Sequence, residues 1–151
     1  MSLKDWQENR WLAEHEPSSE EVADLLTVVN RDLQDAAVDR LSADWRLGIA
    51  YNAALQLALL ALAAEGYRPE RQRTHERAVQ SLRLTIGLDQ EVVDTLDVVR
   101  RKRHLSIYER AGTASSSEAE EVYRLAVALR DQVLEWMKRE HPELLGPSAP
   151  G

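Results

Sequence analysis

Apolar residues recur at helical spacing along most of this chain, and short polar or turn-forming stretches separate them into segments. The first clear segment opens at Ser18. Its hydroxyl can accept a hydrogen bond from the amide of Glu21 while the Glu21 carboxylate reaches back, which is a capping box. Residues 30–37 can continue this helix. We find no strand pattern and no internal repeat, so the periodicity predicts an all-α fold.

The segment over residues 50–64 is apolar almost all round, which predicts a helix buried on most of its circumference. We expect this central helix to occupy residues 42–66, with Asp44 placed where a carboxylate offsets the positive end of the helix dipole. A transmembrane span is the competing interpretation. The run is shorter than the roughly 20 apolar residues that a span needs, and it contains Asn52 and Gln56. We therefore predict a core helix and no membrane partner.

Three further helices follow from the same criteria. Residues 72–86 and residues 89–110 each carry apolar side chains at helical spacing. Ser115 and Glu118 form a second predicted capping box, which opens a last helix that continues through Met137.

The length of 151 residues is that of one ordinary domain. We predict an up-and-down bundle of about five helices over residues 18–141, with the long apolar helix at its centre. Residues 1–17 form an N-terminal extension in this interpretation. Residues 142–151 form a disordered C-terminal tail, because the end of the chain has little to bury.

Charge narrows the range of partners. The net charge is −7, yet residues 67–110 carry 10 basic against 7 acidic side chains, whereas residues 1–66 carry 5 against 12. An acidic protein is a poor general nucleic-acid binder, because affinity for phosphate backbones grows with the number of Lys and Arg contacts. Any polyanion site should therefore lie in residues 67–110, where Arg100 and Arg101 open the densest basic run. The alternative for that run is an exposed turn of helix without a ligand.

Several kinds of chemistry are excluded or disfavoured by composition. The chain has no cysteine, which excludes disulfides, thiolate nucleophiles and Cys-based metal sites. No pair of Glu or His residues repeats a metal-ligand spacing on a helix, so we predict no bound metal and no cofactor. No apolar signal segment follows Met1, so we expect a cytoplasmic protein.

Arg103 departs most clearly from the helical pattern. It follows Leu96 by seven residues and lies about 20° from the same line on an ideal helix, where the pattern expects an apolar side chain. A buried charge without a partner is costly, so Arg103 needs a carboxylate, a ligand phosphate or a partner chain. An ion pair with Asp44 or another acid is the structural alternative. Bidentate binding of phosphate oxygens is the functional one.

Tyr51 and Asn52 interrupt a helix that could otherwise be pure hydrocarbon, and Asp44 lies just before them. Buried polar groups need hydrogen-bond partners, so these three residues are candidates for ligand binding. Internal hydrogen bonds to a loop or a neighbouring helix are the alternative.

Four short stretches of the chain carry a resemblance to a known family: Leu41-Ser42-Ala43-Asp44-Trp45-Arg46, Tyr51-Asn52-Ala53-Ala54-Leu55, Gly66-Tyr67-Arg68, and Arg101-Lys102-Arg103-His104 with Tyr108. Over roughly residues 22–137 the chain resembles bacterial HEPN domains (higher eukaryotes and prokaryotes nucleotide-binding). The resemblance implies a helical bundle that is commonly a homodimer. In many members it implies a metal-independent ribonuclease of toxin–antitoxin and defence systems.

The signature of that family is an Arg, often followed by a polar residue, with a His a few residues later. In this chain Arg103 takes the place of the Arg, His104 that of the polar residue, and Tyr108 stands where the His is expected. A tyrosine with an ordinary pKa of about 10 is a poor general base at neutral pH. His104 is a weak substitute, because it points about 100° away from Arg103 around a helix. The resemblance thus implies weak or absent ribonuclease activity, with these three residues as the candidates for catalysis.

Geometry adds a further expectation about Arg103 and Tyr108. Five residues along a continuous helix separate two side chains by about 140°, so one chain cannot direct both at one phosphate without a helix break. Two chains that meet across a two-fold axis could do so.

Two other pairs share the Arg-to-His spacing, Arg10 with His15 and Arg68 with His75. We interpret both as coincidental. The first pair precedes the bundle, and the second straddles Pro69 in a predicted turn.

Two hypotheses follow. In the first, the chain is a homodimeric HEPN-like domain that binds RNA or a nucleotide in a cleft lined by Arg100, Arg103, His104 and Tyr108. Arg101 is a further candidate for ligand binding. The chain would be the toxin-like half of a two-component system, with an antitoxin or nucleotidyltransferase-type partner protein. In the alternative, it is a non-catalytic helical module for protein interaction or dimerisation. The homodimer is also expected because a few short helices would leave part of residues 50–64 uncovered.

Overall fold

The predicted all-α class is confirmed by the computed structural model of the protein, which describes residues 1–146. Helices make up most of this range, and two short strands form one small sheet. In chain order the elements are α1 (Leu3–Glu8), β1 (Leu12–Glu14), α2 (Ser19–Ala36), α3 (Ala43–Ala64), β2 (Tyr67–Pro69), α4 (Thr74–Thr85), α5 (Gln90–His104), a π-helical turn (Leu105–Glu109), α6 (Ser116–Glu140) and α7 (Pro142–Leu145).

Helix α3 is the central helix of the bundle. It packs chiefly against α2 and α6, and also against α4 and α5. Its length and composition would allow it to cross a membrane, but 78% of its most apolar window is buried inside the fold. This degree of burial is what the core helix of a globular protein shows. The apolar surface of residues 50–64 is therefore covered within one chain, and it no longer argues for a second chain.

Serine side chains cap the long helices as expected, with one difference. The Ser115 hydroxyl accepts from the amide of Glu118, and the Glu118 carboxylate returns a bond to the Ser115 amide, so this capping box is confirmed. The Ser18 hydroxyl likewise accepts from the amide of Glu21. The Glu21 carboxylate, however, lies 2.8 Å from Nε2 of His15, so the predicted reciprocal bond is replaced by a contact with the preceding segment.

The prediction of a chain without strands was wrong for the N-terminal extension. Strands β1 and β2 pair antiparallel, with Leu12 opposite Pro69. Three residues in each strand are too few to show an alternating pattern, which is why periodicity missed them. Trp6 and Leu12 pack with Leu62 of α3 in a small second core, so the extension is fixed to the bundle.

The C-terminal end differs from the predicted disordered tail. Residues Pro142–Leu145 form a short helix, with Pro142 in its first turn. Leu144 and Leu145 pack against the main core, and this burial gives the segment a reason to be ordered. The remainder of the predicted tail, residues 147–151, lies outside the described residues.

Candidate functional site

A break in the helix after α5 decides the geometry around Arg103. The predicted helix over residues 89–110 changes at His104 into a π-helical turn, and the Arg110 amide donates to the Leu105 carbonyl five residues earlier at 2.7 Å. Widening a helix in this way moves residues five apart toward the same side. The guanidinium carbon of Arg103 lies 6.0 Å from the centre of the Tyr108 ring. One chain therefore brings these two residues together, and the juxtaposition does not require a partner.

These residues line an open cleft of about 690 Å³, which we call the Arg103 cleft. Its walls are formed by His75, Arg100, Arg101, Arg103, His104 and Tyr108. Five of these six residues belong to α5 and the π-helical turn, whereas His75 comes from the first turn of α4. The structure thus places all of the predicted basic and tyrosine candidates of residues 100–108 in one cleft.

Positive charge in the cleft is only partly neutralised. Arg100 and Arg101 share the carboxylate of Asp97, at 3.1 and 3.4 Å. In the described part of the chain, no carboxylate lies within 4.0 Å of Arg103, and its Nε is buried without a hydrogen-bond partner. The predicted ion pair between Arg103 and Asp44 is therefore absent from residues 1–146.

Two other predicted ligand-binding residues are occupied elsewhere. Asp44 accepts hydrogen bonds from the amides of Gly112 and Ala114, at 2.6 and 3.0 Å, and so fixes the loop that leads into α6. The Asn52 amide nitrogen donates to the buried carboxylate of Asp32 at 2.7 Å, which joins α3 to α2. Both residues have the internal role that was the alternative interpretation, and neither lines the Arg103 cleft.

Tyr51 lies beneath the cleft and is fully buried. The guanidinium carbon of Arg103 is 5.8 Å from the centre of the Tyr51 ring. The Tyr51 hydroxyl has no hydrogen-bond partner among the residues described. Burial raises the pKa of Tyr51 to about 12, although the charges of Arg100 and Arg103 act in the opposite direction. Tyr51 is thus a neutral phenol at physiological pH and cannot serve as a general base there.

His75 is the cleft residue that sequence reasoning missed. Its ring centre lies 6.4 Å from that of Tyr51, whereas Arg68 does not line the cleft. Although His75 is an exposed residue, the partial burial of its ring, and then the charges of Arg103 and Arg100, lower its pKa. No spacing in the sequence could have found it, because α4 and α5 fold back before His75 meets Arg103.

The second histidine of the cleft has a different environment. The His104 ring lies 5.2 Å from the Tyr108 ring, and its Nε2 is 3.6 Å from a Glu109 carboxylate oxygen. Both rings are exposed at the mouth of the cleft. Lys102, which precedes Arg103 in the sequence, does not line the cleft and pairs with Glu118 of α6.

Metal chemistry has no assembled site in the part of the chain that the structure covers. Within residues 1–146, no three His, Asp or Glu side chains come together in a group that could hold an ion. The cleft offers guanidinium, imidazole and phenol groups, which suit an anion rather than a cation.

Comparison with known proteins adds no assignment, since no family model, curated protein or solved structure matches this chain. The resemblance to HEPN domains accordingly stays a prediction that rests on the motif residues.

The environment of His75 yields a pH prediction. The imidazole should titrate below its ordinary value of about 6.5, and Arg103→Ala should raise its pKa because one nearby positive charge is removed. Arg101→Ala is the matched control and should leave the pKa unchanged. Imidazole resonances followed by NMR against pH measure all three proteins.

The lowered pKa of His75 also predicts how the free energy of unfolding changes with pH. The unfolded chain binds a proton at His75 near pH 6.5 while the folded chain does not, so the His75 contribution to the free energy of unfolding falls as pH drops through that value. His75→Gln should remove this component. A wild-type pKa at or above the ordinary value would contradict the account of the cleft.

Proposed function

We propose that this chain binds RNA or a nucleotide through phosphate groups held in the Arg103 cleft. The observation that carries the proposal is the Arg103 guanidinium, which lines the cleft and has no carboxylate within 4.0 Å among residues 1–146. A charged group at a partly desolvated site without a partner is costly, and a bound phosphate would lower that cost. A planar guanidinium matches two phosphate oxygens at once, which favours phosphate over a simple point anion.

The local balance of charge supports an anionic ligand. Three arginines line the cleft, and a single carboxylate, that of Asp97, neutralises two of them. Outside residues 67–110 the chain carries a net negative charge. Binding is therefore expected to be local and strongly salt-dependent.

Catalysis in the cleft is expected to be weak or absent. The residue at the position of the HEPN histidine is Tyr108, an exposed phenol beside Arg103. His75 is the group whose lowered pKa leaves it neutral at physiological pH and able to accept a proton. Any metal-independent cleavage of RNA by the wild type would therefore depend on an imidazole of the cleft, that of His75 or His104. In the proposed interpretation the chain is a toxin-like member of a two-component system that has kept binding and lost most activity.

A homodimer is also part of the proposal. The exposed apolar surface that supports it is a groove between α5 and α6, and not the buried residues 50–64. Val98 is 54% exposed and lies in an apolar groove of about 320 Å³ between α5 and α6, together with Leu47 and Leu125. The same groove favours the alternative function, a helical module for protein interaction. Light scattering should report twice 17.1 kDa for the dimer. A monomer at all concentrations would remove the dimer but not the cleft, which one chain completes.

Substitution of the cleft arginines tests the binding function. The triple variant Arg100→Ala, Arg101→Ala and Arg103→Ala should lower affinity for a fluorescent single-stranded RNA by about 10-fold or more and reduce the salt dependence of binding. A triple alanine variant at Arg40, Arg124 and Arg139, which are all exposed outside the cleft, has the same net charge and should change affinity little. Equal losses in the two variants would place the site elsewhere. Circular dichroism must show native helicity in both.

Replacement of Tyr108 tests the expectation about catalysis. Tyr108→His should raise metal-independent cleavage of RNA above the wild-type level, because an imidazole base then stands beside Arg103 at the position that the HEPN signature gives to its histidine. Tyr108→Phe should leave binding mostly intact. Strong cleavage by the wild type that Tyr108→Phe abolishes would instead make the tyrosine catalytic.

A further inference from the structure

A second basic groove lies on the far side of the α4 N-terminus from the Arg103 cleft. It has a volume of about 670 Å³ and lies between the turn after α1 and the turn before α4. We call it the Trp11 groove. Its main lining residues are Arg10, Trp11, Glu70, Arg71, Arg73 and Arg77. Four arginines and one carboxylate give it a strong local positive charge in an acidic protein.

The arginines of the Trp11 groove have few acidic partners. Elsewhere Arg46, Arg100 and Arg124 each lie within 3.2 Å of a carboxylate oxygen. Over residues 1–146, by contrast, no carboxylate comes within 4.0 Å of Arg10 or Arg71.

The remaining two arginines of the groove are weakly compensated. Arg73 reaches Glu76 only at 4.0 Å, and Arg77 has no carboxylate within that distance in the described chain. Partial burial, and then the charge of Arg73, lower the pKa of Arg77. Like charges held this close repel each other, and a bound anion would relieve the repulsion.

An aromatic platform holds one of these arginines in place. The guanidinium carbon of Arg77 lies 3.7 Å from the centre of the Trp11 ring, which is a cation–π stack. The Trp6 ring also contacts Trp11, in an edge arrangement with ring centres 5.4 Å apart. Aromatic rings and arginine planes are the groups on which unpaired bases stack, whereas an acidic peptide needs only the charges. The stack therefore favours a single-stranded nucleic acid.

The backbone of the groove is held in an uncommon conformation at two of its arginines. Arg10 and Arg73 have φ angles of 63° and 53°, in the left-handed region. This conformation is unfavourable for a residue that carries a Cβ atom. Both strained residues contribute a guanidinium to the same groove, and strain of this kind tends to persist where function requires the geometry.

Helix α4 connects the Trp11 groove with the Arg103 cleft. His75, in its first turn, lines the Arg103 cleft, while Arg73 and Arg77 line the Trp11 groove. A helix with its side chains is about 10–12 Å wide, so a mononucleotide in one cleft does not reach the other. A strand of several nucleotides does.

We infer that the Trp11 groove is a second phosphate-binding site for single-stranded RNA, and that one strand crosses the first turn of α4 between the groove and the Arg103 cleft. The path of the strand between the two sites rests on the proposed function of the Arg103 cleft. The groove binds backbone phosphates through Arg10, Arg71 and Arg73, while Arg77 and Trp11 provide the stacking surface.

The test uses a double variant that is safe for the fold. Arg10→Gly and Arg73→Gly remove two guanidinium groups and place glycine where φ is positive, a conformation that glycine adopts freely. The matched control is Arg40→Ala with Arg139→Ala, two exposed arginines outside both clefts. The probes are uridine 5′-monophosphate, a fluorescent oligouridylate of about 12 nucleotides, which matches the length that single-strand sites span, and polyglutamate.

We expect the glycine pair to lower affinity for the oligouridylate by about 10-fold and to reduce the log–log salt slope by about 1.4, the value for two single-strand phosphate contacts. Affinity for uridine monophosphate should change much less, because the unaltered Arg103 cleft still binds it. Three results would overturn the inference: a loss no larger than in the arginine control, tighter binding of polyglutamate than of the oligouridylate, or no binding of the oligouridylate by the wild type.

The same data separate this inference from the proposed function. If the Arg100, Arg101 and Arg103 triple variant leaves the binding of both uridine probes unchanged, the Arg103 cleft is not a phosphate site, and the proposed strand path fails with it. Whether the Trp11 groove binds RNA is then decided by the effect of the glycine pair on oligouridylate affinity. If the triple variant weakens both probes and the glycine pair weakens neither, the proposed function survives and the Trp11 groove is overturned.

Discussion

The rest of the structure depends on the need to cover α3 on every side. A helix that is apolar around its whole circumference cannot present any face to water, so α2, α4, α5 and α6 must all pack on it. This requirement brings α4 and α5 side by side, although their chemistry-bearing residues are far apart in sequence. The Arg103 cleft forms where that cover meets the polar interruption of α3 at Tyr51. The same packing that excludes water from α3 thus positions the candidate site.

Within that site, Arg103 is the positively charged side chain that aromatic contacts position and that no carboxylate among the described residues neutralises. Its guanidinium lies over the ring of a fully buried tyrosine and near an exposed one, at 5.8 and 6.0 Å. These contacts hold the side chain without supplying an oxygen acceptor for Nε. A positive group that is partly desolvated and not paired is a poor stabiliser of the fold and a good receptor for an anion. Arg100 and Arg101 differ, since Asp97 already neutralises part of their charge.

Sequence alone was sufficient for the bundle and for the centre of the site. Capping residues and helical periodicity located the long helices, and the apolar run over residues 50–64 identified the core helix. Arg103 was found because a charge occupies a position that the pattern assigns to the core. Periodicity could not detect the π-helical turn, because it depends on the hydrogen bonding of Leu105–Glu109 and not on the spacing of apolar residues.

Other features lay beyond sequence reasoning for a related reason. His75 lines the cleft because α4 packs beside α5. Asp44 and Asn52 instead form hydrogen bonds with Ala114 and Asp32, which are distant in sequence. Arg10 and Arg73 converge on one groove because two turns and a short sheet bring them together. Polar residues that look equivalent in a sequence differ in their hydrogen-bond partners, and these partners are set by the folded chain.

The most direct test of the central claim is an NMR titration of the arginine Nε–H signals with uridine 5′-monophosphate. We predict that the Arg103 Nε–H signal shifts in a saturable way, because this guanidinium lines the cleft and its Nε has no acceptor among the described residues, while the signal of Arg124, already bonded to Glu120 at 3.2 Å, stays in place. An Arg103 signal that does not move, or that moves no more than that of Arg124, would contradict the claim that this guanidinium is a phosphate receptor.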